Sequence, residues 1–596
     1  MRHLMLLGCA FLIGWGAACS KATSPIASAY QERCELIMNW ADTTSQRNFL
    51  IAASRIVHGE NRENGLQMFQ DLLDEAAGTP LSMFHFYRLM IGYCTAEEWL
   101  PIETRNSVRE LLGNANFYRG DTENHLTLYY TGLYLAAQAF ADLPADKWFT
   151  GKSAAENRRE AEGWFEDWLR LTTTIGQGEF DSPTYHAVFL SGLFGLYQFT
   201  EDPVLKEKIH GILLWLIADY GVEHLQGVYT GAHSREYPDR LILKRHPASE
   251  MNYWGWLFFA QTDEPMFNSI FLPAALSDFI LPEILYRIGT DREKPYVHYE
   301  TKRVRHVLRL GNERNPRVYK TTYMCKDFAL GSMMGGAVLQ PIQQHTWDVS
   351  FVGSSRYGTL FTVHPFVGQE DMGMFFPEEM KFSTDQVINA HTYYADEGKW
   401  ASSSPYEKTF QHRNAIIVLY EIPTGALYPH VDGFFPRDLQ AREEDDSGWI
   451  FCRSDQTFIA FYPLQPYRWL EEEHGFRLRS DALRNGCVVQ VEQAQNFADL
   501  NEFKAVMRRT TPVHDTFNET GLVSYTTPAG DVMTFSFAGD RLLNGEVVDF
   551  ADYGFFHGPF LQAELGSQKL EIRHGGEKMI LDFSGAGKIV RMDKEH

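Results

Sequence analysis

The chain has 596 residues, more than one hydrophobic core usually supports, so two or more domains are expected. Hydrophobic residues make up 44% of the chain and aromatic residues 14%, which indicates a well-packed globular protein with rings suited to stacking on sugars. Lys and Arg total 54 against 77 Asp and Glu, a formal charge of −23 that argues against nucleic acid as a partner, because phosphate binding requires a basic surface.

Residues 1–19 have the pattern of an export signal. An apolar segment, residues 4–15, is followed by small residues directly before Cys19. This order resembles a bacterial lipobox and predicts Cys19 as a lipidated mature N-terminus; plain cleavage after Ala18 is the alternative. We therefore expect an exported protein, periplasmic or anchored in the outer membrane as a lipoprotein, that meets the membrane only through this lipid.

The apolar pattern is helical from about residue 26 to residue 288. Apolar residues recur three and four positions apart in segments of similar length, with short polar connections. This succession predicts antiparallel helical hairpins arranged as an α/α toroid, which we assign to residues 20–300. The clearest helical segments are 126–140, 155–172, 185–199 and 203–220.

A polar string precedes the first of these segments. Asp121 or Thr122 can cap the helix, which places Asn124 and His125 in its first turn, where unpaired amides and the helix dipole attract an anion. We expect Asn124 to hydrogen-bond a substrate carboxylate and His125 to assist it or to take a proton. The alternative is that both residues only cap and support the toroid.

A second polar string follows farther along the chain. Asp181 and Ser182 resemble an N-cap, so Tyr185 and His186 fall in the first turn of a helix, like the pair above. If the loops converge at one end of the toroid, Tyr185 and His186 contribute to substrate binding in the same cleft. Glu179 and Asp181 supply carboxylates that a hydrolase would use.

A third string, residues 231–237, lies in a loop after a helix. His233, Arg235 and Tyr237 alternate, so in an extended segment they project to the same side. We expect Arg235 to pair with a uronate carboxylate and Tyr237 to transfer a proton, with His233 beside them. An Arg235 ion pair with a toroid glutamate is the structural alternative. Basic residues that would attract an anionic polymer follow, and Arg245 and His246 are predicted to bind substrate.

Other residues add binding candidates. Trp254, in the aromatic segment 250–256, is suited to stacking on a sugar ring, with core packing as the alternative. In the second half of the chain, His345 in the polar segment 343–348 is expected to reach the cleft from the other domain.

After about residue 300 the pattern changes to alternating and β-branched runs separated by turn signals. This predicts antiparallel sheets packed as a β-sandwich over residues 301–596, with the domain boundary in the charged stretch 291–317. The predicted strands are 414–420, 449–462, 487–493, 532–537, 569–572 and 578–583.

The chain resembles the helical-toroid polysaccharide lyases, the group that contains alginate lyases and heparinase II/III-like enzymes. The resemblance rests on Asn124 and His125, similar to the Asn-His element of the alginate-lyase branch, and on the later Arg235 and Tyr237. It implies a toroid followed by antiparallel sheets. It also implies that Asn124 and His125 neutralise a carboxylate, that Arg235 assists and that Tyr237 transfers protons. An uncharacterised branch of the group is also consistent with these residues.

The predicted function is a polysaccharide lyase that cleaves a uronic-acid-containing polysaccharide by β-elimination. Abstraction of the C5 proton requires that fixed donors offset the carboxylate charge, and the candidate residues include such donors. A glycoside hydrolase that uses a carboxylate pair on the toroid and a non-catalytic surface glycan-binding protein are the alternatives.

No cofactor is required by this chemistry, and a structural metal ion is not indicated. Outside the signal the cysteines lack CxxC spacing, which favours structural thiols over a zinc cluster. They are Cys34, Cys94, Cys325, Cys452 and Cys487.

Overall fold

The computed structural model describes residues 24–120, 122–245, 249–262, 267–303, 317–334, 344–353, 357–366, 395–585 and 587–594. The predicted signal segment and its Cys19, the candidate cap Asp121 and the candidate ligand His246 lie outside these residues. Within the described ranges, none of the helices combines the length and apolar character needed to cross a bilayer.

The chain from Pro25 to Thr290 is mainly helical, with two short two-stranded ladders. The helices are α1 Pro25–Thr43, α2 Phe49–His58, α3 Arg62–Ala76, α4 Met83–Ala96, α5 Ile102–Asn114, α6 Glu123–Ala139, α7 Ala154–Ile175, α8 Tyr185–Phe199, α9 Pro203–Val222, α10 Pro238–Ile242, α11 Glu250–Phe259, α12 Leu272–Ala275 and α13 Glu283–Thr290. The ladders are formed by β1 Leu81–Ser82 with β2 Phe117–Tyr118 and by β3 His224–Leu225 with β4 Val228–Tyr229.

The helices form a ring of hairpins. Helices α2, α4, α6 and α8 contact one another in succession, and α12 contacts both α8 and α2, which closes the inner ring. Helices α3, α7 and α9 pack outside α2, α6 and α8. The four segments predicted as helices are α6 to α9, and the predicted helical toroid is confirmed.

Local sequence explains where the helices begin. The Thr122 side chain accepts the His125 amide and caps α6, as predicted for this position. Helix α8 begins at Tyr185, and the predicted cap is confirmed at Ser182, whose hydroxyl accepts the Tyr185 amide at 3.0 Å, but not at Asp181, which has a left-handed backbone with φ of 48°. The reason is that Asp181 is held by charges from the other domain, described below, rather than by the helix.

The described residues after Thr290 form mainly antiparallel sheets. The strands are β5 Tyr296–Arg303, β6 Arg317–Met324, β7 Phe328–Met334, β8 Trp347–Phe351, β9 Thr359–Val363, β10 Glu407–His412, β11 Ala415–Glu421, β12 Val431–Pro436, β13 Ala441–Glu444, β14 Ile450–Ser454, β15 Thr457–Pro463, β16 Arg468–Glu471, β17 Gly475–Ser480, β18 Arg484–Gln493, β19 Leu522–Thr526, β20 Val532–Ser536, β21 Leu542–Leu543, β22 Glu546–Val547, β23 Phe556–His557, β24 Leu561–Ala563, β25 Lys569–His574, β26 Glu577–Asp582 and β27 Val590–Lys594. Two short helices, α14 Leu500–Met507 and α15 Phe517–Thr520, lie between β18 and β19.

These strands build a layered sandwich, which confirms the predicted fold class. A large sheet has the order β16-β17-β12-β9-β8-β7-β6-β5-β23-β24-β25-β26-β27, and a six-stranded sheet has the order β10-β11-β18-β15-β14-β13. Alternate residues of β11 face opposite sides: Ile416 shares a buried cluster with Trp347 of the large sheet, and Ile417 shares one with Phe503 of α14 and Val523 of β19.

The large sheet also packs on the helical ring. Phe555 and Phe556 pack against Trp215 of α9, with ring centroids 5.5 and 5.9 Å away. The predicted domain boundary after residue 300 falls inside β5. The division of the chain into two domains stays a prediction.

Candidate active site

Three loops at one end of the helical ring meet against the large sheet. They contain residues 122–125, 176–185 and 231–240. Ser234 donates from its amide and its hydroxyl to the Phe180 carbonyl, and the Ser182 hydroxyl donates to the Arg235 carbonyl. Gly231 lies so close to β7 that a Cβ on Gly331 would stand 2.5 Å from its Cα. The strings singled out in the sequence therefore converge.

Two buried glutamates brace the first two loops against each other. The Glu123 carboxylate accepts hydrogen bonds from the amides of Gly178 and Glu179, at 2.8 and 3.1 Å. In return, the Glu179 carboxylate accepts from the backbone amide and the side-chain nitrogen of Asn124, each at 2.8 Å. Arg303 of β5 donates to Glu123 at 2.7 Å and ties this brace to the sheet.

Asn124 is consequently fixed and fully buried. Its Nδ2 donates to Glu179 and, at 2.8 Å, to Thr122. Both amide hydrogens are thereby used, so the predicted donation from Asn124 to a substrate carboxylate is not available in this arrangement. Among the described residues its Oδ1 has no hydrogen-bond partner.

Two tyrosines meet among these loops, each beside a guanidinium, and Tyr185 is buried. The hydroxyls of Tyr185 and Tyr237 are 2.5 Å apart, and Tyr237 is partly exposed. The Arg235 guanidinium carbon lies 4.2 Å from the Tyr185 ring centroid, and that of Arg240 lies 4.7 Å from the Tyr237 centroid. Arg235 Nε is 3.5 Å from Glu179, which is the ion pair with a toroid glutamate that the sequence left as an alternative.

The predicted alternation of His233, Arg235 and Tyr237 is wrong as a description of the backbone. Arg235 has φ of 55°, so the segment turns instead of continuing as a strand. His233 points elsewhere: its backbone pairs with His345 through two hydrogen bonds, and the two imidazole centroids are 6.4 Å apart.

His233 and His345 belong to a buried charge cluster behind the tyrosines. His345 Nε2 is 3.2 Å from Asp348, which also pairs with Lys244. Burial and the neighbouring Lys244 lower the pKa of His233 well below its ordinary value, and burial lowers that of His345. Both imidazoles are buried, so the predicted contact of His345 with substrate does not fit this geometry.

Two other candidates are core residues. His186 is fully buried and contacts the Leu216 carbonyl at 3.1 Å, and burial lowers its pKa to about 4. Trp254 is fully buried and stacks on Phe194 at 5.4 Å. The predicted direct contacts of these two residues with a sugar are therefore corrected to structural roles, since neither reaches the surface.

Two further candidates, His125 and Arg245, are half-buried. His125 is half-buried at the start of α6, where its ring meets Phe84 edge-on at 5.4 Å. Arg245 is also half-buried and donates to the Gln226 carbonyl at 3.0 Å. Their predicted roles toward substrate stay predictions.

Sequence reasoning missed the partners of these residues. The sequence presents Glu179 only as a carboxylate that a hydrolase would use, and Arg240 only as one of several basic residues after the third string. Glu236 is buried, accepts a hydrogen bond from the Tyr237 amide at 2.9 Å and has its pKa raised to about 7 by burial. In the sequence, this contact is indicated only by the position of Glu236 directly before the candidate Tyr237.

Comparisons with known proteins give a likeness of shape. No family model and no curated protein matches the chain. Among solved structures, the Streptomyces coelicolor A3 chondroitin AC lyase in complex with chondroitin sulphate is 12% identical, with a TM-score of 0.44 and coverage of 95% of this chain and 90% of that one. Heparinase III is 8% identical, with a TM-score of 0.38 and coverage of 86% and 81%. Both are polysaccharide lyases, the group that the sequence resembles, and with TM-scores below 0.5 neither assigns a role to a residue of this chain.

Proposed function

We propose that this protein cleaves an acidic, uronate-containing polysaccharide by β-elimination, with Tyr237 as the proton carrier. The observation that carries the proposal is the pair of tyrosine hydroxyls 2.5 Å apart, next to Arg235 and Arg240 at the mouth of the three loops. A partly exposed phenol beside fixed positive charge can exchange a proton with a bound anion.

In the proposed reaction the guanidinium groups offset the charge of the uronate carboxylate, which allows the C5 proton to leave. Tyr237, as its phenolate, takes that proton and then donates it to the glycosidic oxygen as the C4–O bond breaks, which leaves an unsaturated sugar and restores the phenolate. Asn124 acts indirectly, because it holds Glu179, which in turn anchors Arg235. His125 and Arg245 are further candidates for contact with the substrate.

The hydrolase alternative is less well supported, since its candidate carboxylates are buried and held by fixed donors. Glu123 accepts four hydrogen bonds, and Glu179 holds Asn124 and Arg235. Asp181 is paired with two lysines. A hydrolase needs carboxyl groups that reach the glycosidic oxygen and the attacking water, and these buried, fully engaged side chains do not offer them.

The test is incubation with chondroitin sulphate, heparan sulphate and alginate while ultraviolet absorbance is followed. Elimination creates an absorbing unsaturated uronate, hydrolysis creates reducing ends without it, and binding alone creates neither. Tyr237→Phe keeps the ring under Arg240 and should lower kcat by about 100-fold or more. Tyr118→Phe, on an exposed tyrosine of β2, is the matched control and should keep full activity. Unchanged elimination by Tyr237→Phe would remove Tyr237 from this role.

Export is part of the same proposal, because such polymers occur outside the cytoplasm. Metabolic labelling with a palmitate analogue should mark the wild-type chain and fail to mark Cys19→Ala. Labelling of both forms would reject Cys19 as the lipidated residue.

A further inference from the structure

Two lysines of the large sheet are buried among carboxylates that come mainly from the helical ring. Lys302 of β5 and Lys320 of β6 are 2% and 0% exposed. The carboxylates around them are Asp181, Asp219, Glu223 and Glu300, all buried. The lysines thus join the sheet to α9 and to the loop that carries Glu179.

The Lys302 ammonium lies between three of these carboxylates. Its Nζ is 2.6 Å from Asp219 Oδ2, 2.6 Å from Glu300 Oε2 and 3.1 Å from Asp181 Oδ1. Each of the three residues offers an oxygen within 4.8 Å of the others. Oxygens this close together can be bridged by one cation, and Ca²⁺ binds carboxylate oxygens at roughly 2.3–2.6 Å.

The charge balance explains why a cation is needed there. Although burial opposes it, the surrounding carboxylates hold the pKa of Lys302 well above its ordinary value. Tyr229 donates a further hydrogen bond to Asp181 at 2.9 Å. Lys320 also pairs with Asp181 and lies 3.7 Å from Glu300. Removal of the Lys302 ammonium would therefore leave Asp219 without an ammonium and the buried trio short of one positive charge, which is strongly destabilising.

We propose that Lys302 is the resident cation of a carboxylate trio with the geometry of a divalent-metal site, and that its ammonium locks the Asp181 loop to the sheet. The Lys302 side chain thus places its ammonium where a divalent metal ion would lie in such a trio. Lys302→Ala would therefore create a Ca²⁺ site from Asp181, Asp219 and Glu300. This inference does not depend on the proposed function.

The experiment compares thermal unfolding of the full-length protein, purified with EDTA, with and without added CaCl₂. Lys302→Ala should unfold about 5 °C or more below wild type and recover most of that loss with Ca²⁺, while wild type does not respond. Lys320→Ala is the matched control. This variant removes the ammonium that pairs with Asp181 and Glu223. Among the described residues no second trio with metal-binding spacing exists, so Ca²⁺ should not restore its lost thermal stability.

Two outcomes overturn the proposal: Lys302→Ala that is insensitive to Ca²⁺, and wild type that is stabilised by Ca²⁺ as much as the variant. If Lys302→Ala is insoluble, Lys302→Met and Lys302→Met/Asp219→Asn decide the matter. The double variant restores the charge balance and should be the more stable of the two. A double variant no more stable than Lys302→Met would show that the lysine is not the counter-charge of the trio.

Discussion

Glu236 gives a sharp test of the buried environment next to Tyr237. Its carboxyl is buried, and burial raises its pKa from 4.5 to about 7. Because the folded state holds this proton more tightly than the unfolded state, the group stabilises the fold at low pH, and this stabilisation is lost as the pH rises from 4.5 to 7. Glu236→Gln stays neutral and can still accept the Tyr237 amide, so it removes the pH dependence without removing the hydrogen bond.

The size of the effect follows from the two pKa values. Between about pH 5.5 and pH 8.5, proton linkage should lower the stability of wild type relative to Glu236→Gln by about 2 kcal/mol. Urea unfolding of both proteins at the two pH values measures this difference. Because the other titrating groups are the same in both proteins, their contributions cancel when the two are compared. Glu407→Gln is the parallel case, since burial raises the pKa of Glu407 to about 8 and its transition should lie correspondingly higher. A stability difference that does not change with pH, or that changes in the opposite direction, would refute the reasoning.

The remaining predictions concern the braces and the core. Glu179→Gln should cost about 3 kcal/mol of unfolding free energy and most of the activity, whereas Glu162→Gln, in a half-buried surface pair with Arg158, should cost about 0.5 kcal/mol; equal effects in urea unfolding would contradict the brace. Trp254→Ala should lose about 3–5 kcal/mol by leaving a cavity, with KM unchanged in the folded protein, and a raised KM with normal stability would return Trp254 to the binding site. Gly120→Ala should cost about 1–3 kcal/mol, because φ is 74° and the new Cβ would stand 2.5 Å from His125 Nδ1; a wild-type urea midpoint would refute that contact.

The sequence predicts the ring and the sandwich, because helical and strand periodicities are local signals, whereas it offers the convergence of the loops only as a condition for a shared cleft. The partners of the site residues are not local. Glu179 meets Asn124 across 55 positions, and nothing in either string marks the pair. The turn at Arg235 was missed for a similar reason: alternation in the letters predicts an extended segment, while hydrogen bonds from neighbouring loops impose φ of 55°.

The charged stretch around residue 300 is the most instructive difference. Charged letters usually indicate a solvated segment, so residues 291–317 were interpreted as a boundary. Within this stretch, Tyr296–Arg303 is an interior strand of the large sheet, and Glu300, Lys302 and Arg303 are buried. Only the folded arrangement shows that Lys302 and Arg303 are compensated by carboxylates of the helical half.

The buried ion pairs across this contact have a practical consequence for anyone who dissects the gene. A fragment that stops before β5 would keep Glu123, Asp181 and Asp219 but lack Arg303, Lys302 and Lys320, which compensate them. It would also uncover the face of Trp215 that Phe555 and Phe556 protect. We therefore expect the helical half to be unstable without the sheets.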